Sequence, residues 1–339
     1  MTDLRVALLG YGHWGPNLAR NLHRQLGTGW TACADVNPQR LAEVKFLYPW
    51  VSALTDAGPV LADDTVDAVV IATPARTHAP LVAEALGAGK HVLVEKPLAL
   101  STEDAVRLTR QAERAGRVLM VGHTFEYNPA VLKMRELVAS GSLGELCYLH
   151  SQRVNLGRIQ SDINAMWSIG PHDVSIANFL TGSRPRWVAA KGARYLHAEV
   201  EDVVFATIGY DGGVLAHLHV SWLDPSKVRR TTVVGSKRMI VYDDLDSEAT
   251  LRVYDKSAER VEGGYGEFQF RLRTGDLHVP KIDLAEPLAG ELAHFLECVA
   301  TGATPNSDGW NGVRVVAALE AADRSLRRGG IPVDVSMPT

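Results

Sequence analysis

Features that would assign this chain to a specialised class are scarce. Its 339 residues include three cysteines, Cys33, Cys147 and Cys298, which are widely separated and lack C-x-x-C spacing, so we expect buried thiols rather than disulfides or a zinc site. No apolar run has membrane-spanning length and no basic n-region begins the chain, which favours a cytoplasmic protein. A net charge of −4, with 22% charged residues, argues against nucleic acid or an anionic membrane as the main partner.

The first 26 residues have the pattern of a strand, a tight turn and a helix. Residues 4–9 form a short apolar run bounded by glycine, and residues 17–26 repeat leucine at helical spacing. Between them, Gly10-Tyr11-Gly12-His13-Trp14-Gly15 gives the full G-x-G-x-x-G pattern. Its glycines permit the turn, the approach of a pyrophosphate and close helix–strand packing, while the helix N-terminus offers N–H groups to the phosphates. The stretch predicts a dinucleotide-binding turn, although glycine-rich turns also occur for purely local reasons.

A carboxylate follows the second predicted strand. Residues 30–34 are apolar and end in Asp35, which lies 20 residues past Gly15, where a carboxylate can bond the adenosine ribose hydroxyls. The alternative is that Asp35 only opens the turn that continues through Val36. Because a carboxylate there repels a 2′-phosphate, NAD is predicted over NADP, with Arg40 as the residue that weakens this preference.

Two further strand ends carry candidate site residues. Residues 65–71 predict a central strand ending at Ala72-Thr73-Pro74, and residues 91–94 predict another that leads to Glu95-Lys96-Pro97. Ligands bind at the carboxyl ends of strands in doubly wound sheets, so Thr73 and Lys96 are expected beside the dinucleotide. The other residues expected to contact it at these ends are Ala72, Pro74, His78 and Glu95. The alternatives are an ordinary turn capped by Thr77 and a solvated lysine. A lysine near a cationic nicotinamide ring has its ammonium form disfavoured and can relay a proton.

Strand and helix alternate up to about residue 122, which predicts a parallel sheet covered on both faces. From residue 123 the chain becomes rich in β-branched and aromatic runs, and it closes with predicted helices over residues 287–301 and 312–328. The glycines at 263, 264 and 266 indicate a loop. We therefore expect a Rossmann domain over residues 1–122 and an α+β domain with a largely antiparallel sheet over residues 123–339.

His172 is the best candidate for a catalytic acid or base in the second half. It follows Gly170-Pro171 at the predicted start of a helix, and a dehydrogenase needs a group that takes a hydroxyl proton as hydride leaves the same carbon. A histidine at a helix start is also a common local hydrogen-bonding group. His217 and His219 share one strand face with a spacing that makes a poor metal site, and no metal is assigned.

These motifs together resemble the Gfo/Idh/MocA oxidoreductase family over nearly the whole chain. The resemblance rests on the glycine turn, on Ala72-Thr73-Pro74 with His78 beyond it, on Glu95-Lys96-Pro97 and on the His172 segment. Residues 122–129, 220–225 and 280–284 resemble the branch that includes UDP-N-acetylglucosamine-type 3-dehydrogenases. The resemblance implies a Rossmann domain, an open-faced C-terminal sheet that mediates homo-oligomers, sugar or cyclitol substrates, and Lys96 with His172 as the catalytic pair.

One residue departs from the family pattern. Many members carry an aspartate four residues before the histidine, where this chain has Ser168. Either Asp173 or Lys96 compensates, or proton transfer is slower, or the substrate differs. The remaining candidates for substrate contact are Tyr127, Asp173 and four polar residues before His172, for which loop solvation is the alternative: Arg153, Asn155, Gln160 and Asn164.

The sequence thus predicts an NAD-dependent dehydrogenase or reductase. It would move a hydride between nicotinamide and a secondary alcohol or ketone carbon of a sugar, nucleotide sugar or cyclitol. The competing class is a non-catalytic regulatory protein that senses a dinucleotide or sugar on the same fold, an alternative that Ser168 keeps open.

Overall fold

The structure is a computed structural model that describes residues 4–157, 159–161, 163–196, 198–260, 270–283 and 285–337. The chain divides into two compact units, Met1–Tyr127 with Glu286–Val316, and Asn128–Ala285 with Ala317–Ser336. Residues 286–316 thus belong to the same unit as the N-terminal residues, whereas the sequence assigned them to the second domain, residues 123–339. That division stays a prediction of the domain boundaries.

The N-terminal elements alternate as expected from the apolar runs. In chain order they are β1 (Val6–Leu9), α1 (Gly15–Leu26), β2 (Trp30–Ala34), α2 (Pro38–Leu47), β3 (Ser52–Leu54), α3 (Gly58–Leu61), β4 (Ala68–Ile71), α4 (His78–Gly87), β5 (His91–Glu95), α5 (Thr102–Ala115) and β6 (Leu119–Gly122). Ser101 caps α5 as its sequence suggests, since its Oγ accepts a hydrogen bond from the backbone N–H of Asp104 at 3.1 Å.

The strands of the first unit form a six-stranded parallel sheet in the order β3-β2-β1-β4-β5-β6. Every residue of β1 and β4 is buried, as a parallel sheet covered on both faces requires. The strand order reverses between β1 and β4, and this is the crevice where a doubly wound sheet binds its ligand. The predicted Rossmann arrangement is confirmed.

The remaining elements follow β6 and build most of the second unit. They are α6 (Pro129–Ala139), β7 (Leu146–Val154), α7 (Ala165–Ser168), α8 (Gly170–Thr181), β8 (Pro185–Ala193), β9 (Val203–Tyr210), β10 (Leu215–Ser221), β11 (Val228–Gly235), β12 (Met239–Asp243), β13 (Leu251–Arg260), β14 (Phe270–His278), α9 (Pro287–Thr301), α10 (Gly309–Arg327) and β15 (Val333–Asp334). Of these, α9 belongs to the first unit, where Leu292 and Phe295 join its core.

The second unit contains a nine-stranded sheet in the order β14-β13-β12-β11-β7-β10-β9-β8-β15. Its pairs are antiparallel except β7 with β10, so the predicted largely antiparallel sheet is confirmed. Helix α8 packs on β7 and β10. Tyr148, Phe205 and Leu215 are exposed.

Some sequence expectations were wrong or are not tested. Cys33 and Cys298 are buried, but Cys147 is exposed because it lies near the start of β7, where Tyr148 is exposed as well. The hairpin of β13 and β14 was not anticipated, since nearly every residue of β14 is exposed and no alternation of apolar residues marks it. The loop expected at glycines 263, 264 and 266 lies outside the described residues.

Within the described part of the chain, no helix combines the length and the apolar character needed to cross a membrane.

Candidate active site

The glycine turn brings the ends of β1 and β4 into direct backbone contact. Gly10 has a φ of 98°, and a Cβ atom on it would lie 2.7 Å from the carbonyl carbon of Ala72. A Cβ on Gly15 would lie 2.9 Å from the carbonyl oxygen of Gly10. Only glycine fits at these positions, because one requires a left-handed backbone and the other a close helix–strand approach.

Asp35 is buried behind this turn. Its Oδ2 accepts a hydrogen bond from the Tyr11 N–H at 2.7 Å, and its Oδ1 accepts one from the Asn37 N–H at 2.8 Å. The Arg40 guanidinium lies 3.6 Å from the same carboxylate. Asp35 therefore fixes the glycine turn as well as closing its own loop, and its bond to the ribose hydroxyls stays a prediction.

These residues fit an NAD molecule. A carboxylate offers about four acceptor positions, and the two backbone bonds leave Asp35 free to accept a ribose hydroxyl. Val36 beside it is 88% exposed, and His13 and Trp14 are exposed on the turn, where a bound dinucleotide could contact them. The Tyr11 ring, by contrast, packs in the core at 2% exposure, so only its backbone faces the turn.

His78 links the segments that follow β4 and β5. One ring nitrogen, Nδ1, lies 2.7 Å from the carbonyl oxygen of Pro97, and Nε2 lies 2.9 Å from that of Thr73. The ring is 1% exposed. Both ring nitrogens are thus occupied by backbone carbonyls, and contact of His78 with the cofactor stays a prediction. The residue positions the loops that carry Thr73 and Lys96.

The loop after β4 has its own side-chain contact. Thr77 donates to the Thr73 hydroxyl at 2.7 Å and does not cap α4 with its side chain. The capping alternative is therefore wrong. Ala72 and Thr73 remain half-buried and Pro74 is exposed, which leaves this strand end accessible to a ligand.

Lys96 follows β5 and is half-buried, with a cis peptide bond to Pro97. The preceding residue, Glu95, accepts a hydrogen bond from the ring N–H of Trp14. Burial raises the pKa of Glu95 to about 7, which outweighs the opposite effects of Lys96 and of that hydrogen bond. Lys96 thus stands beside a carboxyl group that changes its charge near neutral pH.

Buried polar residues that the sequence reasoning missed lie beneath this edge. Glu291 is 1% exposed, and its Oε2 accepts a hydrogen bond from the Thr124 hydroxyl at 3.0 Å. Glu126 is also 1% exposed and accepts two contacts from Asn311 Nδ2, at 3.1 and 3.2 Å. A signal for Glu291 existed, since it shares the buried stripe of α9 with Leu288 and Phe295.

Tyr127, a predicted substrate contact, belongs to the same unit. Its hydroxyl lies 2.9 Å from His294 Nδ1 and 3.3 Å from the Ser307 hydroxyl, and burial pushes its pKa above its usual range. The phenol is therefore neutral at physiological pH, and its contact with substrate stays a prediction.

His172 lies at the corner between α7 and α8 in the second unit. Pro171 occupies the first turn of α8, and a Cβ on Gly170 would lie 2.9 Å from Met166 Sδ, so the corner is tightly packed. His172 is half-buried, and its carbonyl accepts a bond from the Ser175 hydroxyl at 3.0 Å. Ser168 is 7% exposed and accepts a bond from Gln160 Nε2 at 2.8 Å.

Asp173 forms an ion pair under the start of α8. Its carboxylate accepts hydrogen bonds from Arg153 Nε at 2.7 Å and from the Ser151 hydroxyl at 2.6 Å. The side chains of Arg153 and Asp173 are 8% and 2% exposed. The structure thus gives both residues an internal partner at the start of the helix that carries His172, and their contact with substrate stays a prediction.

Asn164 also has internal partners. Its Oδ1 caps α7 by accepting the Trp167 N–H at 3.1 Å, and its Nδ2 donates to Glu201 at 3.2 Å and to Asp323 at 3.0 Å. Both N–H donors are engaged and the residue is 8% exposed, so Asn164 holds this corner, and its contact with substrate stays a prediction. Asn155 and Gln160 are half-buried, and their contact with substrate stays a prediction.

Two histidines of the second sheet stack on other aromatic rings. His217 stacks on His150 with ring centres 5.8 Å apart, and His219 stacks on Phe205 at 4.4 Å. Within the described ranges, no group of three or more histidine, cysteine and carboxylate side chains could hold a metal ion.

Comparison with known proteins agrees with this geometry. Residues 4–123 match the Gfo/Idh/MocA model described as an oxidoreductase family with an NAD-binding Rossmann fold, and residues 131–241 match a C-terminal domain model of the same family. UDP-N-acetylglucosamine 3-dehydrogenase from Acidithiobacillus ferrooxidans is 31% identical over 94% of this chain and 96% of its own length.

Two other proteins extend the comparison. An inositol 2-dehydrogenase from Corynebacterium glutamicum is 25% identical over 98% of this chain and 97% of its own. The crystal structure of GenD2 from gentamicin A biosynthesis, in complex with NAD, superposes with a TM-score of 0.83 at 27% identity, covering 99% of this chain and 97% of that one. The chain belongs to the Gfo/Idh/MocA family of oxidoreductases, with an NAD-binding Rossmann fold.

Proposed function

We propose that the protein is an NAD-dependent dehydrogenase of a sugar, nucleotide sugar or cyclitol. The observation that carries this proposal is the edge of the first sheet, where the glycine turn, the Asp35 carboxylate and Lys96 follow strands of one parallel sheet. The named activities of the relatives, on UDP-N-acetylglucosamine and on inositol, support a secondary alcohol carbon as the reacting centre.

In this proposal the cofactor supplies hydride transfer, and the chain supplies binding and proton handling. Asp35 receives the ribose hydroxyls, and its charge disfavours the 2′-phosphate of NADP. Lys96 contacts the reacting oxygen and His172 accepts or returns its proton. Asp173 is already bound to Arg153 and Ser151. We therefore expect Ser168 and Lys96 to replace the aspartate that many family members carry four residues before the histidine.

The regulatory alternative is less well supported. The relatives above are named as dehydrogenases, and Lys96 and His172 are both present in this chain. A sensor would not need both proton-transfer groups. We therefore favour an enzyme over a dinucleotide- or sugar-binding regulator.

The proposal is tested by incubating the protein with NAD and a panel of UDP-sugars, free sugars and inositols. We expect the absorbance of reduced nicotinamide to appear with at least one nucleotide sugar or cyclitol, and less with NADP than with NAD. Tight binding of NAD without turnover of any member, in either direction, would favour the regulatory alternative instead.

The second sheet offers a surface for self-association. We infer that the face with the exposed side chains of Tyr148, Phe205 and Leu215 pairs with a second copy of the chain, as the family resemblance implies. Sedimentation equilibrium should give at least a dimer, and Phe205→Glu should weaken it.

A further inference from the structure

The second sheet carries a pair of histidines on the side that lies away from α8. Ser151 and Arg153 of β7 point to Asp173 on α8, so the alternate residues of this strand, among them His150, point to the opposite side. His150 and its register partner His217 on β10 are both exposed there. This side of the sheet, away from α8, is the open face.

An apolar row crosses the open face from β14 to β8. It consists of register partners on successive strands, with Gly209 between the last two: Leu277, Tyr254, Met239, Val234, Tyr148, Leu215 and Trp187. The Trp187 ring lies over Gly209 and leaves no room for a Cβ there. The open face is therefore apolar along one continuous line rather than at scattered positions.

The histidine pair lies in the row beside the apolar one. The middle row holds Ala189, Thr207, His217, His150, Thr232 and Val241, and the third row holds Lys191, Phe205, His219, Gln152, Arg230 and Asp243. Strand β7 is also the central strand of the nine-stranded sheet. The pair thus lies near the middle of the open face both along the strands and across them.

The open face has the size of an interface between two copies. The eight strands from β14 to β8 lie about 4.8 Å apart, so the rows are roughly 34 Å long. Three rows, each about 7 Å deep, give roughly 700 Å². A stable interface buries about 800 Å² of each partner, and a face that meets itself about a two-fold axis packs its apolar side chains on their own copies. Packing that buries the whole face brings the histidine pairs of both copies to its middle.

The two imidazole rings are held against each other. Their centres lie 5.8 Å apart with planes inclined by 22°, and His217 Nδ1 lies 3.1 Å from the Thr207 hydroxyl. Two neutral rings stack in this arrangement, whereas two protonated rings this close repel each other. The charge of the pair therefore decides whether the middle of the open face can be buried.

The nearest fixed charge also opposes protonation of the pair. The charged and titratable groups around it on the open face are Tyr148 on β7, His219 on β10, Arg230 on β11, Lys191 on β8, Asp243 on β12 and Asp224 after β10. Burial first, and then His217 and Arg230, lower the pKa of His150. Burial also lowers the pKa of His219, and Asp224 offsets part of that effect.

We propose that His150 and His217 make self-association of the chain dependent on pH, with neutral rings packed between two copies and protonated rings separating them. This inference rests on the self-association proposed above, and it is independent of the proposed catalysis. Burial between two copies removes water from the pair and disfavours its charged form further. The associated state is therefore stable above the pKa of the pair in the separate copy and is lost as the pH falls through it.

The test is sedimentation velocity over a dilution series at constant ionic strength, between about pH 7.5 and pH 5.5, since an ordinary histidine titrates near 6.5. Each proton excluded by association changes the dissociation constant by up to about tenfold per pH unit, and a dimer contains the pair twice. We expect the dissociation constant of the wild-type protein to rise by about 10- to 100-fold per pH unit below about pH 6.5.

The combined variant His150→Gln with His217→Gln should associate with a dissociation constant that changes by less than about threefold over this range, because glutamine cannot take up a proton. His150→Lys places a permanent charge in the middle of the face and should dissociate already at pH 7.5. His278→Gln is the matched control. His278 is exposed on β14 and is the register partner of Val253, on the face opposite to the pair, so this variant should keep the pH dependence of the wild-type protein.

A dimer whose dissociation constant ignores pH, or an unchanged pH dependence in the combined variant, would overturn the switch alone. A monomer at every pH would contradict the self-association itself and the switch with it. If the combined variant fails to fold, calorimetric dilution of the wild-type protein near pH 6 in two buffers decides the matter. Uptake of about one proton per copy on dissociation supports the switch, and uptake of none overturns it.

Discussion

The two units hold their candidate site residues by different kinds of bond. In the first unit most of these contacts are made by backbone groups. Gly10 packs against the backbone of Ala72, and Asp35 accepts hydrogen bonds from the N–H groups of Tyr11 and Asn37. In the second unit, side chains hold side chains, as in the contacts of Asp173 with Arg153 and Ser151. A backbone requirement leaves a short local signature in the sequence, whereas a side-chain network does not.

We expect the largest effect on stability from breaking the buried ion pair of the second unit. Arg153→Met leaves Asp173 without its cation in a site that is 2% exposed. Removing one partner of a buried pair costs about 3–5 kcal/mol, which should appear as a lower free energy of unfolding in denaturant titration.

A matched pair and a rescue control this prediction. Arg186 and Asp211 form an ion pair whose side chains are 64% and 63% exposed, and Arg186→Met should cost only a small fraction of that free energy. Adding Asp173→Asn to Arg153→Met should restore part of the lost stability. Equal effects of the buried and exposed changes would show that the pair does not hold the α8 start.

The next largest effect concerns turnover. Lys96→Ala and His172→Ala should each lower kcat on a confirmed substrate by about 10²-fold or more, because each removes a proton-transfer group. Lys96→Arg keeps the positive charge but does not release a proton, so we expect it to be nearly as slow. Near wild-type kcat in either alanine variant would refute the assigned roles.

A third effect tests the backbone character of the first site. Gly10→Ala combines a positive φ with a contact of 2.7 Å to Ala72, and it should cost about 2 kcal/mol in unfolding free energy and weaken NAD binding. Gly27→Ala also has a positive φ, of 55°, but no atom within 4 Å, so it should leave NAD affinity unchanged. Equal NAD affinities in the two variants would indicate that the turn does not cradle the cofactor.

The smallest effect concerns the choice of cofactor. Asp35→Ser removes the charge that opposes a 2′-phosphate and leaves Arg40 in place, so the preference for NAD over NADP should fall by about tenfold. Fluorescence titration with the two reduced cofactors measures it. An unchanged ratio would mean that Asp35 serves only the backbone contacts with Tyr11 and Asn37.

The features that could be predicted from the sequence are mainly those that depend on backbone requirements. The bounds of β2 were predicted from the apolar run over residues 30–34, and the glycine spacing located the turn. The sequence does not reveal that both ring nitrogens of His78 meet carbonyl oxygens. It also does not reveal that Asn164 bonds to Asp323, because the two residues lie 159 positions apart in the chain.

The central claim is that the dinucleotide lies across the carboxyl ends of the first sheet with its ring at Lys96. A crystal structure with NAD bound tests it most directly. The account predicts the pyrophosphate on the turn from Gly10 to Gly15, a ribose hydroxyl on Asp35 and the nicotinamide facing Lys96. A ring bound away from Lys96, or a dinucleotide elsewhere on the protein, would contradict it.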